Sequence, residues 1–261
     1  MTIAGSDSGA GAGVQADLKT FAAHGVFGTS VITALTAQNT AEVLGVRAID
    51  PAFVDLQITA VLDDLPVASV KTGMLANASI IAAVARRAAA GELPNLVVDP
   101  VLVSWSGHPL LDEGGVRAYL DLLLPHTDVL TPNTREASLL TGSAVGNLDE
   151  MIAAGRALCD RGARTVIVKG GHLPGDIAPD VVVGPDETLV LEGTRVVSAN
   201  DHGTGCTLSA AVAALLARGS PLSDAVRQAK SFVRTALEGA SSWHLGRGHG
   251  PLDHFGWGAG E

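Results

Sequence analysis

A run of small and polar residues, DHGTGC at 201–206, leads directly into the Ala- and Leu-rich segment 207–216. The second segment has the composition of a buried helix, so the first is expected to form that helix's N-terminus. Helix N-termini carry unpaired N–H groups and partial positive charge, and glycines let these groups approach an anion closely. A thiol in the first helical turn is acidified. An ordinary glycine-rich helix start with a buried cysteine fits the same residues. The residues predicted to form an anion site are Gly203, Thr204, Gly205 and Cys206.

Two further polar residues belong to predicted strands. Gln38 follows the β-branched strand 30–37, and its amide suits recognition of a neutral heterocycle because it both donates and accepts; a turn cap is the alternative. Asp99 lies within the apolar strand 96–102. Burying a carboxylate there costs free energy unless it meets a cation or hydrogen-bond donors. Asp99 is therefore predicted either to form a structural ion pair or to act as a base or metal ligand.

Other candidates surround helix starts and loops. Asn133 and Glu136 are neighbours on one face of a helix start after strand 128–131, where they fit either a capping box or a water-mediated magnesium site. Lys169 follows strand 165–168 and precedes two glycines. It is predicted to contact a phosphate, and the alternative is a solvated surface lysine. Asp7 and Asp17 flank a glycine-rich loop, as ligand contacts or surface caps.

The pattern of elements predicts an α/β fold in a single domain, 1–261. Strands alternate with helices, which implies a mostly parallel sheet covered on both faces, with ligands bound beyond the carboxyl ends of the strands. Short strands at 181–183, 188–191 and 195–197 indicate a small antiparallel edge. Helices are expected over 14–24, 51–62, 78–90, 114–124, 148–161 and 222–237, and the first strand is only 2–4, short enough to expect a trimmed start. The loop that follows it lacks both the dinucleotide-binding glycine pattern and a Walker Gly-Lys pair.

Composition excludes several classes of partner. The 261 residues carry a formal charge of −10, which argues against nucleic acid and against an anionic membrane surface. Cys159 and Cys206 are the only cysteines, so we expect neither a disulfide framework nor a zinc site. This cysteine content fits a protein of the reducing cytoplasm. The start of the sequence does not read as a signal peptide, and no apolar run reaches the length of a membrane span.

Eight stretches together resemble one known family over essentially the whole chain. They are AGSDSGAGAGVQADLKT at 4–20, ITALTAQNT at 32–40, TGML at 72–75, DPV at 99–101, TPNTREA at 131–137, VKGGH at 168–172, HGTGCT at 202–207 and GHGP at 248–251. In this order they closely resemble the hydroxymethylpyrimidine/phosphomethylpyrimidine kinases of thiamine biosynthesis. Any single stretch would be unspecific, but the set is specific.

The resemblance implies a ribokinase-like fold that uses ATP and Mg²⁺. It also implies that one site phosphorylates hydroxymethylpyrimidine and then its monophosphate. The pyrimidine would contact Gly5, Asp17, Gln38, Met74 and Val101. Asp99 and Glu136 would hold magnesium, partly through water, while Lys169, Asn133 and Thr204 would bind the nucleotide. Residues 203–206 would form the anion hole, with Cys206 as base where related sugar kinases carry an aspartate.

Two other functions fit parts of the same pattern. Pyridoxal also bears a hydroxymethyl group on a small ring, and some relatives of this family phosphorylate it. A non-catalytic sensor of the pyrimidine would have no use for a phosphoryl-transfer site, so that set of residues speaks against it. The family also suggests a homodimer. Candidate segments for closing over the substrate are 105–109 and 176–179.

Overall fold

The computed structural model describes residues 1–102, 111 and 113–260. The segment 105–109, one of the two candidate closing segments, lies outside these residues. The described chain forms one nine-stranded sheet. In chain order its strands are β1 (Thr2–Asp7), β2 (Ser30–Gln38), β3 (Val43–Ala48), β4 (Val70–Thr72), β5 (Leu96–Val98), β6 (Val129–Leu130), β7 (Thr165–Lys169), β8 (Asp180–Val183) and β9 (Thr188–Leu191).

The main helices follow the predicted periodicity closely. They are α1 (Gly13–Ala23), α2 (Pro51–Leu62), α3 (Ala78–Ala89), α4 (Glu113–Ala118), α5 (Thr134–Thr141), α6 (Leu148–Asp160), α7 (Thr204–Ala217) and α8 (Leu222–Gly239). Side-chain caps start several of them: Asp50 caps α2, Asn77 caps α3 and Asn147 caps α6. None of the helices in the described part of the chain combines the length and apolar character needed to cross a bilayer.

The sheet has the strand order β3-β2-β1-β4-β5-β6-β7-β8-β9. Six adjacent strands run parallel: β2, β1, β4, β5, β6 and β7. At one edge β3 is antiparallel to β2, and at the other β8 is antiparallel to β7 and β9 to β8. The carboxyl ends of the parallel strands therefore meet at one edge of the sheet. This is the edge at which such folds bind ligands.

Two apolar clusters cover the two faces of the sheet. One joins α2, α3, α5 and α6 to the sheet and includes Ile58, Ile80 and Leu158. The other joins α1, α7 and α8 and includes Phe21, Val212 and Val226. Every residue of α7 from Thr207 to Leu215 is buried, as its Ala- and Leu-rich sequence predicts. The predicted α/β class, with helices on both faces, is confirmed.

Strand β1 is longer than the predicted 2–4 and β5 is shorter than the predicted 96–102, and three further elements differ from the sequence-based expectation. Strand β3 was not predicted, because an edge strand exposed along most of its length needs no run of apolar residues. The predicted strand 195–197 is absent, and only Thr194 makes an isolated bridge, to Ile177 in the second candidate closing segment. The helix expected over 114–124 begins as α4 but continues as a π-helical turn over Tyr119–Leu123.

Gly155 provides a test of how closely α6 packs on β8. A Cβ at this position would lie 2.6 Å from Cγ2 of Val183, so Gly155→Ala overpacks the interface. We expect it to lower the free energy of unfolding by about 1–3 kcal/mol, although alanine is the better helix former. Urea unfolding measures this change. Because Val183→Ala makes room for the new methyl group, the double variant should be more stable than the sum of the single losses. Additive losses would contradict this packing.

Candidate functional site

One cavity of about 190 Å³ opens at the carboxyl ends of the central strands. It joins the loop after β1, the ends of β2, β4 and β5, and the start of α7. Of the residues predicted to form the site, those that line it are Gly5, Gln38, Met74, Asp99, Val101, Asn133, Glu136, Lys169, Gly203, Gly205 and Cys206. Thr204 and Asp17 are not among the lining residues.

The start of α7 is shaped by a close backbone contact. Gly203 has φ +90°, and a Cβ on it would lie 1.9 Å from the carbonyl oxygen of Gly11. Only glycine accommodates both conditions. The contact turns the chain so that Gly205 and Cys206, in the first turn of α7, face the cavity. N–H groups in a first helical turn have no acceptor within the helix, so this end can receive an anion.

Thr204 begins α7 but directs its polar groups elsewhere. Its hydroxyl donates to the carbonyl oxygen of Asp201 at 2.6 Å, and its N–H donates to the same oxygen at 3.3 Å. The side chain is therefore engaged in the turn that starts the helix.

The thiol of Cys206 is not acidified as the sequence suggested. Burial raises its pKa to about 11, and the negative charges of Asp17 and Asp99 act in the same direction. The ammonium group of Lys71 and a hydrogen bond from the N–H of Gly13 lower it without overcoming the burial. The expectation from position alone was wrong because a helix start lowers a thiol pKa only when the thiolate remains solvated.

Asp99 meets the cation that its burial requires. Its Oδ1 accepts from Lys169 Nζ at 2.8 Å and from Thr131 Oγ1 at 3.1 Å. Burial alone would raise the pKa of this carboxyl, but the charges of Lys169 and Lys71 outweigh it and hold the pKa below its usual range. Lys169 also stands over the α7 start, because a Cβ on Gly205 would lie 3.1 Å from its Nζ.

Asn133 and Glu136 form the capping box that was one of the two readings of their spacing. The Asn133 side chain accepts from the Glu136 N–H at 2.9 Å, and the Glu136 carboxylate accepts from the Asn133 N–H at 2.8 Å. Burial raises the pKa of Glu136 to about 7; Lys169 opposes the increase and Asp99 adds to it. The cap places this carboxylate in the cavity beside Asp99 and Lys169.

These two carboxylates fit Mg²⁺ as part of a hydrated site. Carboxylate oxygens are the hard donors that Mg²⁺ prefers, and the ion usually keeps several waters. No group of three or more histidine, cysteine, aspartate or glutamate side chains suited to a metal occurs among the described residues. Oδ1 of Asp99 is occupied by Lys169, whereas Oδ2 lies on the Gly205 side, 3.7 Å from that residue's Cβ position. Asp99 and Glu136 can therefore hold the ion only together with water or nucleotide oxygens.

Gln38 forms another part of the cavity wall. Its Nε2 lies 3.0 Å from Nε2 of His202, and its Oε1 accepts a long hydrogen bond of 3.3 Å from Thr36. His202 in turn lies 3.0 Å from Oδ2 of Asp7. In the same lining, Sδ of Met74 lies 3.3 Å from the Cβ position of Gly5, so any side chain on Gly5 would press on Met74.

Asp7 organises the glycine-rich loop that follows β1. Its carboxylate accepts from the N–H groups of Gly9, Gly11 and Ala12 at 2.8, 3.1 and 2.9 Å. The loop's N–H groups therefore already have an anion of the protein itself. This agrees with the failure of both nucleotide-binding patterns in the loop.

Asp17 lies beneath the cavity and not in its lining. Both its oxygens accept from Lys71 Nζ at 2.9 Å, and Oδ2 also accepts from Thr2 at 2.6 Å. The side chains of Asp17 and Lys71 are both 0% exposed. Asp17 therefore presents no free oxygen to a ligand as the structure stands. The residue of this pair that lines the cavity is Lys71.

Sequence reasoning missed Lys71 and His202 as members of the site. Lys71 continues an apolar strand in a chain with few lysines, and a lysine at a buried strand position signals a required counter-charge. In the sequence His202 is only the first residue of the stretch HGTGCT at 202–207. No local pattern predicts its contacts with Gln38 and Asp7, which are distant in sequence.

Comparison with known proteins identifies the family. The sequence profile described as phosphomethylpyrimidine kinase matches residues 7–253. The hydroxymethylpyrimidine/phosphomethylpyrimidine kinase of Rhizobium meliloti is 48% identical over 259 residues, which cover 98% of this chain and 96% of that protein.

Solved structures give the same fold. The phosphomethylpyrimidine kinase of Clostridium difficile superposes with a TM-score of 0.81 at 40% identity, covering 90% of this chain and 97% of that one. The pyridoxal kinase of Staphylococcus aureus, in complex with AMP-PCP and pyridoxal, gives a TM-score of 0.89 at 34% identity, covering 98% and 93%. The ribokinase-like fold expected from the resemblance is thus confirmed, and this chain belongs to the phosphomethylpyrimidine kinase family.

Proposed function

We propose that this protein uses ATP to phosphorylate 4-amino-5-hydroxymethyl-2-methylpyrimidine, and then its monophosphate to the diphosphate, in thiamine biosynthesis. The observation that carries the proposal is that a single cavity joins Gln38 to the Asp99–Lys169 pair and the α7 start. A small ring at Gln38 then has its exocyclic group directed at an anion site. The two acceptors share that ring, so one site serves both reactions.

The nucleotide phosphates bind at the α7 end of the cavity. Lys169 donates one N–H to Asp99, which leaves donors for phosphate oxygens, and Asn133 contributes from the start of α5. Thr204 would contribute only if its hydroxyl left the Asp201 carbonyl. Asp99 and Glu136 hold Mg²⁺ largely through water. Bound there, the ion supplies charge neutralisation on the phosphates. The N–H groups of Gly203, Gly205 and Cys206 stabilise charge on the transferring phosphoryl group, whereas the Thr204 N–H, expected in the same anion hole, donates to the Asp201 carbonyl.

The pyrimidine binds between Gly5, Met74 and Val101, and Gln38 recognises its edge. Oε1 of Gln38 has only the long contact to Thr36, so it can accept from the ring's amino group. Asp17, which the resemblance implied as a direct contact, acts in this proposal through Lys71, because Lys71 and Thr2 already occupy its oxygens.

Cys206 is the base that takes the hydroxymethyl proton as the oxygen attacks the γ-phosphorus and ADP leaves. A base must be deprotonated to accept a proton. With a pKa of about 11, the thiolate is a minor species at neutral pH. The site therefore needs groups that favour the thiolate in the complex.

Pyridoxal phosphorylation is the second candidate. It is favoured by the high structural similarity to the S. aureus pyridoxal kinase, although the R. meliloti pyrimidine kinase is closer in sequence. Beside its hydroxymethyl group pyridoxal carries a formyl group where the pyrimidine carries an amino group, so Gln38 would have to donate instead of accept.

We further propose a cytoplasmic homodimer. Both cysteines are free thiols, as a reducing compartment favours. Leu35, Leu44 and Val46 on the β2–β3 edge are 50%, 70% and 48% exposed, and a second copy would cover them.

The substrate assignment is tested by comparing turnover of the aminopyrimidine and of pyridoxal in one coupled ATP-consumption assay. We expect kcat/KM for the aminopyrimidine to exceed that for pyridoxal by at least about tenfold, since an unpaired polar group in the ring site is costly. Product analysis should show the monophosphate first and then the diphosphate. A preference for pyridoxal would overturn the proposal.

The anion hole is tested with two glycines that both have positive φ. Gly203→Ala meets the Gly11 carbonyl, whereas Gly219 has φ +82° and nothing within 4 Å of its Cβ position. We expect Gly203→Ala to lower kcat by about 100-fold or more, because it displaces the N–H groups. Gly219→Ala should cost about 1 kcal/mol of stability and leave kcat unchanged. Equal kcat values in the two variants would rule out this role for the α7 start.

The base is tested by the pH dependence of kcat in parent and Cys206→Ala. The thiolate fraction rises almost tenfold per pH unit below a pKa of about 11, so kcat in the parent should rise from pH 7 to pH 9 wherever chemistry limits turnover. Cys206→Ala should be about 100-fold slower or more and lose that slope. A variant that turns over at the parental rate would reject Cys206 as base and leave the anion hole standing.

A further inference from the structure

Lys71, which forms a buried ion pair with Asp17, lines the cavity. Lys71 is on β4, in the centre of the sheet, and Asp17 is on α1. Both side chains are 0% exposed, and the Lys71 ammonium bridges the two carboxylate oxygens at 2.9 Å each. Lys71 and Cys206 line the same cavity.

Stability gives little reason for this pair. Removing two charges from water is expensive, and apolar residues of similar volume often serve as well. A second Lys–Asp pair in the protein, Lys230 with Asp180 at 2.6 Å, keeps 19% and 11% of its side chains exposed. It lies outside the lining of the cavity. The complete burial of Lys71 at the cavity floor therefore calls for another explanation.

The space above the ammonium is kept open by Gly73. A Cβ there would lie 2.9 Å from Lys71 Nζ and 3.0 Å from Cβ of Ala4. Asp17 receives two of the hydrogen bonds that an ammonium can donate. A third donor remains, and both Lys71 and Gly73 line the cavity. Asp17 thus fixes the ammonium in place without using all of its donors.

We propose that Lys71, fixed by Asp17, is a positioning residue that supplies the counter-charge for the Cys206 thiolate. This inference rests on the proposed role of Cys206 as base. The O–H bond of the acceptor breaks as its oxygen bonds to the γ-phosphorus, and the bond from that phosphorus to ADP breaks. The thiolate takes the proton and becomes a thiol, whose proton returns to solvent after product release. Lys71 stays protonated throughout.

The other groups facing Cys206 act in both directions. Lys169 and the N–H of Gly13 favour the thiolate, whereas Asp17 and Asp99 disfavour it. Burial has the largest effect and raises the pKa of the thiol to about 11; among the surrounding charges Lys71 acts most strongly, and it lowers that pKa. Removing Lys71 must therefore make the thiolate harder to form.

The test measures the thiol pKa without substrate. In a Cys159→Ala background Cys206 is the only thiol. The rate of its alkylation by iodoacetamide is followed by mass spectrometry across pH 7 to 11.5. We expect Lys71→Met to lower that rate at least about tenfold at each pH below the thiol pKa, because the substitution raises that pKa. The double variant Asp17→Asn/Lys71→Met, which removes both charges, should fall between the parent and Lys71→Met.

The matched control is Lys230→Met, which breaks the other Lys–Asp pair by the same substitution and should leave the thiol pKa at the parental value. In steady-state assays Lys71→Met should lower kcat at least about tenfold while KM for ATP changes little. If Lys71→Met fails to fold, the double variant alone decides, because its buried positions are neutral.

A thiol pKa in the double variant equal to or below the parental value would overturn the inference. So would a Lys71→Met thiol that titrates like the parent. Because alkylation needs no substrate, failure of this inference can be distinguished from failure of the proposed function. Thiol pKa values in the expected order, combined with no turnover of the aminopyrimidine, would remove the substrate assignment and leave the charge coupling intact.

Discussion

The backbone contact between Gly203 and Gly11 is the constraint on which the site depends. No side chain fits between Gly203 and the Gly11 carbonyl, and a Cβ on Gly13 would lie 2.4 Å from the Gly5 oxygen. These close approaches bring the starts of α1 and α7 together. Cys206 consequently sits where two helix N-termini converge, with Gly13 at the start of one and its own turn at the start of the other. The anion binding and the proton transfer proposed for this part of the cavity both depend on that convergence.

Burial makes the balance of charge at this point decisive. Lys71 and Lys169 pair with Asp17 and Asp99 in a largely buried region, so each ionisation depends on its neighbours. Glu136 has a pKa raised to about 7, and Cys206 one raised to about 11, because neither finds enough compensating positive charge. The phosphate proposed to bind here would add negative charge beside Lys169, whose ammonium keeps donors after its bond to Asp99.

The sequence was most informative where topology decides the outcome. Gln38, Asp99, Asn133 and Lys169 follow or lie near strand ends, and parallel pairing brings such ends together whatever the details. Contacts between side chains that are distant in the chain could not be predicted from the sequence. Nothing local indicated that Asp17 would be buried against Lys71, or that Asp7 would take up the N–H groups of its own glycine loop. The low pKa expected for Cys206 was wrong because the expectation considered only its position at a helix start and not its desolvation.

The tie between Asp7 and His202 joins residues 195 positions apart. A chain emerging from the ribosome forms β1 and α1 early, but the pocket they help to build lacks its far wall until α7 has been synthesised. During that interval the buried carboxylates of the first third have no final environment. The site is thus among the last features of the molecule to mature, and a nascent chain cannot consume ATP before its fold is nearly complete.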